Sequence, residues 1–191
     1  MRIGILGGSF DPIHIGHAIL ANYGTQFGDI DTLWLMVSPQ NPLKNEISSE
    51  YDGHRLRMAQ LVAEKCDNVS VSGLEFTLPK PSYTVNTLKI LSEKFPIDEF
   101  VLIIGADNWA NFSKWKDYEQ ILNNYDILVF PRKGYEIIIP EKYSKRVKKL
   151  NAPLIEISST FIRQQLKDMR NMNFFLPQDV YRYILEHKLY M

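Results

Sequence analysis

Gly7-Gly8-Ser9-Phe10-Asp11-Pro12-Ile13-His14-Ile15-Gly16-His17 follows an apolar run, Arg2 to Leu6, and leads into a stretch of helical spacing, Gly16 to Phe27. A strand, a glycine turn and a helix in that order place a helix N-terminus at the end of a strand. Adjacent glycines allow a sharp turn and close approach of the backbone to a ligand. The helix then offers unsatisfied amides and the positive end of its dipole to an anion. His14 and His17 are three apart, share one side of the first turn and can both donate to phosphate oxygens. Gly7, Gly8, Ser9 and Phe10 with these histidines therefore read as a phosphate cradle. The segment is neither the Gly-x-Gly-x-x-Gly dinucleotide fingerprint nor a Walker loop. A His-x-x-His metal site is the alternative, but a third ligand at helical spacing is missing.

Outward from this segment, short apolar runs alternate with amphipathic stretches. Arg2 to Leu6, Thr32 to Val37, Val69 to Ser72, Phe100 to Ile104, Asp126 to Phe130 and Leu154 to Ile157 are the expected strands. Several are apolar throughout, as strands covered on both faces should be. Asp52 to Lys65, Ser82 to Phe95 and Tyr118 to Asn123 complete the intervening helices, and Ser158 to Lys167 and Gln178 to His187 close the chain. The alternation predicts a doubly wound α/β fold with a mostly parallel sheet, right-handed crossovers and C-terminal helices. Residues 1–191 read as one domain, with 158–191 its helical C-terminal part. Residues 39–50, rich in Pro, Asn, Ser and Lys without periodicity, read as a loop.

Composition narrows the class. The 22 basic and 22 acidic residues cancel, which argues against a polyanion binder such as a nucleic-acid protein. One basic stretch, 132–149, carries seven Lys and Arg against Glu136 and Glu141, and reads as a solvated face. Cys66 is the only cysteine, so neither an intrachain disulfide nor a thiolate cluster can form. The apolar runs suit buried strands, too short for membrane spans or a signal-peptide core. The expectation is a cytoplasmic protein without membrane or nucleic-acid partners.

The opening motif resembles the signature of the nucleotidyltransferase superfamily with a His-x-Gly-His element. Ile157-Ser158-Ser159-Thr160-Phe161-Ile162-Arg163, about 140 residues further on, is similar to that superfamily's Ser/Thr-rich triphosphate site. Hydroxyls and amides at a helix start can receive a polyphosphate, and Arg163 adds a forked donor. Read alone, the same serines are an ordinary N-cap. Pro81-Ser82-Tyr83-Thr84, Gly105-Ala106-Asp107 and Lys114-Trp115 narrow the resemblance to nicotinate mononucleotide adenylyltransferases, over nearly the whole chain. His54-Arg55 and Phe130-Pro131-Arg132 resemble family positions near the nucleotide more weakly. Two departures stand out. Asn41-Pro42-Leu43-Lys44 replaces a common Pro-Pro-His-Lys, keeping only Lys44 as a phosphate contact. Lys116 follows Lys114-Trp115 where an aromatic or histidine is common.

The resemblance implies a Rossmann-like sheet of order 3-2-1-4-5-6. It implies adenylyl transfer from ATP to nicotinate mononucleotide, giving nicotinate adenine dinucleotide and pyrophosphate in NAD biosynthesis. His17 and His14 would act at the α-phosphate. Gly7, Gly8, Ser9, Phe10, Lys44, Ile157, Ser158, Ser159 and Arg163 would bind ATP and its phosphates. Thr84, Gly105, Asp107, Trp115 and Lys116 would hold the mononucleotide, with Arg55 and Arg132 as further nucleotide contacts. Mg2+ would come with ATP, held by phosphate oxygens and water, with no ligand from the protein. Transfer to nicotinamide mononucleotide or phosphopantetheine, a non-catalytic nucleotide sensor, and assembly as a homo-oligomer stay open.

Overall fold

The computed structural model describes residues 1–39 and 51–191. The loop expected at 39–50, and Lys44 with it, lies outside the described residues except for Pro39. The sheet is six-stranded and all parallel: β1 (Arg2–Gly8), β2 (Thr32–Val37), β3 (Val69–Ser72), β4 (Glu99–Gly105), β5 (Asp126–Phe130) and β6 (Val147–Lys149). Their spatial order is β3-β2-β1-β4-β5-β6. The order reverses between β1 and β4, which pair from Arg2↔Glu99 to Leu6↔Ile103. A crevice opens beyond the carboxyl ends of strands at such a switch point.

Both faces of the sheet are covered, and this explains the unbroken apolar strands. On β4, Val101 and Ile103 enter one core while Phe100, Leu102 and Ile104 enter the other. On β5, Leu128 and Phe130 part from Ile127 and Val129 in the same way. The first core takes the inner sides of α1 (Ile15–Phe27), α2 (Asp52–Ala63), and the late helices α6 (Ser159–Lys167) and α7 (Gln178–Glu186). The second takes α3 (Thr84–Lys94) and α5 (Tyr118–Asn124), with the short α4 (Ala106–Ala110) directly after β4. No helix among the described residues is long and apolar enough to cross a membrane.

One expected strand is corrected. Leu154 to Ile157 pairs with no strand among the described residues, and Leu154 is exposed; the sixth strand is Val147–Lys149. It is an edge strand of three residues, with only Val147 buried and two exposed lysines. That pattern looks like a solvated charge run in sequence, although charge on an edge is a common guard against pairing with other chains. The extended segment 154–157 delivers Ser158 to the start of α6 instead.

Candidate active site

At the crevice the carboxyl ends of β1, β4 and β5 surround a cavity of about 220 Å³. That is far above the roughly 10–15 Å³ one water needs, so it is space for a ligand. Gly7, Gly8, Ser9, Phe10 and His17 line one end. A Cβ at Gly8 would meet the Phe10 ring at 3.0 Å, whereas one at Gly7 would meet, among the described residues beyond its chain neighbours, no atom within 4 Å. Phe10 is buried and has φ 47°, a left-handed conformation uncommon for an aromatic residue and typical of strain at functional turns.

His14 and His17 divide their work. His14 is the N-cap of α1, and its backbone N–H donates to His17 Nδ1 at 3.2 Å. With Nδ1 accepting, the proton of neutral His17 sits on Nε2, where it can donate to a ligand. The His17 ring stacks on His14 at 3.7 Å and meets Phe10 edge-on at 5.0 Å. Burial, then His14 and Arg132, hold the His17 pKa well below the usual value. Burial and Arg132 lower that of His14 to about 4. Both are therefore neutral at pH 7. His14 is buried behind His17 and does not line the cavity.

These depressed values carry a stability consequence. The unfolded histidines take up protons near pH 6.5 while the folded ones resist. Stability is therefore complete above pH 6.5 and falls as pH drops from there toward about 4. For His14 the shift corresponds to roughly 3 kcal/mol over that window. Denaturant melts at pH 7.5 and 4.5 should show this loss, and His14→Asn, which can still cap, should reduce it. An unchanged slope would mean His14 is not the acid-sensitive group.

On the side of the second core the cavity is lined by Thr84, Trp115 and Lys116, while Gly105 lies against Arg132, whose charge acts on His17. Thr84 is the first residue of α3, so it stands among that helix's free amides. Trp115 is half-buried against Phe112, with ring centroids 5.1 Å apart. The Lys116 ammonium lies 4.6 Å from the ring centre of Tyr83, another residue lining the cavity. Glu75, which the sequence reading missed, also lines the cavity. Its buried carboxylate accepts from Ser82 Oγ at 3.1 Å and Thr87 Oγ1 at 2.8 Å, pinning the start of α3. An acidic residue between Leu74 and Phe76 was the available signal.

Several expected contacts take other places. Arg55 is fully buried; it donates to the carbonyls of Ser9 (2.6 Å), Ser38 (2.7 Å) and Pro39 (3.3 Å) and pairs with Asp52 at 2.6 Å. It clamps the ends of β1 and β2 together from behind the site, because orphan carbonyls at strand ends need buried donors. Asp107 does not line the cavity; it turns to Arg132, 3.7 Å away, whose guanidinium lies 4.9 Å over Phe130 and does line it. A Cβ at Gly105 would run into the Asp107 carboxylate, so glycine there makes room for this pair.

The α6 start also sits outside the cavity wall. Ser158 caps α6 by accepting from Phe161 N, and Ile157 packs against the first core. Ser159 Oγ donates to Pro12 O at 2.9 Å, and Arg163 Nη1 donates to Asp11 O at 2.6 Å. The serines and the arginine thus fasten the far side of the β1–α1 loop. Asp11 and Tyr190, bonded to each other at 2.6 Å, were not singled out in sequence. Their separation along the chain hides the pairing.

Comparison with known proteins agrees with this architecture. The family model described as cytidylyltransferase-like matches residues 5–165. A Flavobacterium johnsoniae protein named "probable nicotinate-nucleotide adenylyltransferase" is 44% identical over 194 residues, covering 100% of this chain and 99% of its own. A Bacteroides thetaiotaomicron protein of the same name is 44% identical, covering 98% and 92%. Among solved structures, Plasmodium falciparum nicotinic acid mononucleotide adenylyltransferase complexed with NaAD superposes with a TM-score of 0.77 at 22% identity, over 99% of this chain and 97% of that one. That likeness establishes the fold. With full-length identity to the first two relatives, the chain belongs to the nicotinate-nucleotide adenylyltransferase family of the cytidylyltransferase-like proteins.

Proposed function

We propose that the cavity joins ATP to nicotinate mononucleotide, yielding nicotinate adenine dinucleotide and pyrophosphate. The observation that carries this reading is one cavity lined both by a preset donor, His17, and by Trp115 with Thr84. The mononucleotide phosphate has a second pKa near 6, so at pH 7 about nine-tenths is the dianion. It needs no general base to attack the α-phosphorus of ATP. A new P–O bond forms as the bond from that phosphorus to the β-bridging oxygen breaks, and pyrophosphate leaves with the electron pair.

What the protein supplies is position and charge stabilisation. His17 donates from Nε2 to the α-phosphate, where charge is greatest as the bonds exchange, and His14 holds that ring in place. Gly7 and Gly8 let the phosphates lie against the backbone. ATP would be taken as its magnesium complex, and the metal would supply charge neutralisation to the triphosphate without a ligand from the protein. Lys44 and the part-exposed Arg163 receive the departing pyrophosphate, Ser159 holds the loop through Pro12, and Arg132 closes the crevice. A phosphopantetheine acceptor has no flat ring for Trp115, which disfavours that reading.

Pyrophosphate release from ATP plus nicotinate mononucleotide, with the dinucleotide formed in equal amount, tests the assignment. No release, or release only with another phosphate acceptor, would overturn it. Trp115→Ala should raise KM for the mononucleotide by the equivalent of about 1–3 kcal/mol, the scale for losing a stacked ring. KM for ATP should barely move. Equal changes for both substrates would mean the two ends are misassigned.

A further inference from the structure

Asp11 occupies the turn between β1 and α1, and its carboxylate faces two partners. The Tyr190 hydroxyl donates to Oδ1 at 2.6 Å, while Arg163 Nη1 stands 3.6 Å from Oδ2. The first is a short charge-assisted hydrogen bond; the second is within ion-pair reach but beyond hydrogen-bond length. Arg163 keeps a donor on the Asp11 carbonyl at 2.6 Å and another 3.4 Å from Thr160 Oγ1, and its side chain is still 36% exposed. It is therefore tethered to the loop without being closed onto the carboxylate.

Tyr190 is a firmly held donor. Its ring lies parallel to Tyr51 at 5.5 Å with an interplanar angle of 13°, and its φ is 64°, left-handed for a bulky residue. The preceding Leu189 is buried and its N–H reaches Ile184 O at 3.0 Å. Burial and the Asp11 charge push the tyrosine's pKa up, so it donates throughout the working pH range.

We propose that Tyr190 is a positioning residue for adenylyl transfer: by engaging one oxygen of Asp11 it keeps that carboxylate from closing on Arg163, leaving the guanidinium available to the triphosphate of ATP. The proposal rests on the reading of Arg163 as a triphosphate contact. Asp11 and the triphosphate compete for the same fork of donors, and the tyrosine sets the strength of the competitor. Without the hydroxyl, the Asp11 carboxylate, only 13% exposed, has one partner left among the described residues, and that partner is Arg163.

Tyr190→Phe keeps the ring against Tyr51 and removes only the donor. Steady-state kinetics should show KM for ATP raised by about threefold to tenfold, the scale for weakening one charge-assisted hydrogen bond to the bound substrate. The mononucleotide KM and kcat should stay within about twofold. In an Asp11→Asn background the same change should have almost no effect, because the competing charge is already gone. A silent Tyr190→Phe, a parallel rise in both KM values, or an undiminished effect beside Asp11→Asn would each overturn the proposal. Arg163→Ala separates the failures. If it leaves KM for ATP unchanged, the triphosphate reading falls and takes this proposal with it. If it raises that KM while Tyr190→Phe is silent, only the coupling is wrong.

Discussion

His17→Ala is expected to lower kcat about 10²-fold or more, the range for deleting one preorganised donor to developing charge. The structure gives the donor its preorganisation: Nδ1 is occupied by the His14 amide, and the ring is fixed between His14 and Phe10. No reorganisation is then needed when charge moves onto the transferring phosphate. The same contacts mean that the variant also loses part of the α1 cap, which costs about 0.5–2 kcal/mol of stability. The comparison therefore belongs at a temperature where circular dichroism shows both proteins folded. Wild-type turnover by folded His17→Ala would take the residue out of the mechanism.

Nicotinate mononucleotide should be preferred over nicotinamide mononucleotide by roughly 10²- to 10³-fold in kcat/KM, within the range for polar readout of a ring substituent. Thr84 at the first position of α3 places a hydroxyl and free amides at this end, and the Lys116 ammonium beside Tyr83 adds a cation. A carboxylate accepts on both oxygens and carries the charge that a helix start favours. An amide turns a donor toward donors, at about 1–3 kcal/mol for each group left facing the wrong partner. Glu75 works in the opposite sense, since a carboxylate in the same wall repels an anionic ring. That repulsion holds the discrimination to hundreds rather than tens of thousands, although the bonds from Ser82 and Thr87 to its oxygens direct part of the charge away. Measuring kcat/KM for both mononucleotides at one concentration of ATP and Mg2+ decides it. Equal values would sink acid selectivity, and Thr84→Val should narrow the gap without changing KM for ATP.

Much of this was legible in sequence where local pattern and function coincide. The five longer strands were found because doubly covered parallel strands have few polar positions to blur them. The β1–α1 motif was found because glycines, capping and histidines fall within eleven residues. Arg55 shows what was overlooked. It shares a stripe with Met58, Ala59 and Val62, all buried at helical spacing, so α2 itself marked the arginine as internal. Arginine on an apolar stripe is a clamp for carbonyls more readily than a contact for nucleotide. The pairing of Arg132 with Asp107 and of Tyr190 with Asp11 had no such mark. Those contacts depend on how β5 and α7 meet distant turns, which no periodicity encodes.

The loop between β1 and α1 is synthesised early and fastened late. Besides Arg55 on Ser9, its side-chain anchors Ser159, Arg163 and Tyr190 lie 147, 152 and 179 positions after the residues they hold. At about 5–20 residues per second, a growing chain carries this loop without those late anchors for on the order of ten seconds. The six strands can align before then, but of its side-chain anchors the phosphate-facing turn has only Arg55, on the Ser9 carbonyl, until α6 and α7 arrive. A chain lacking α6 and α7 should therefore hold this turn, and the histidines that follow it, less firmly than the 191-residue chain. Catalytic competence would be among the last properties the nascent protein acquires.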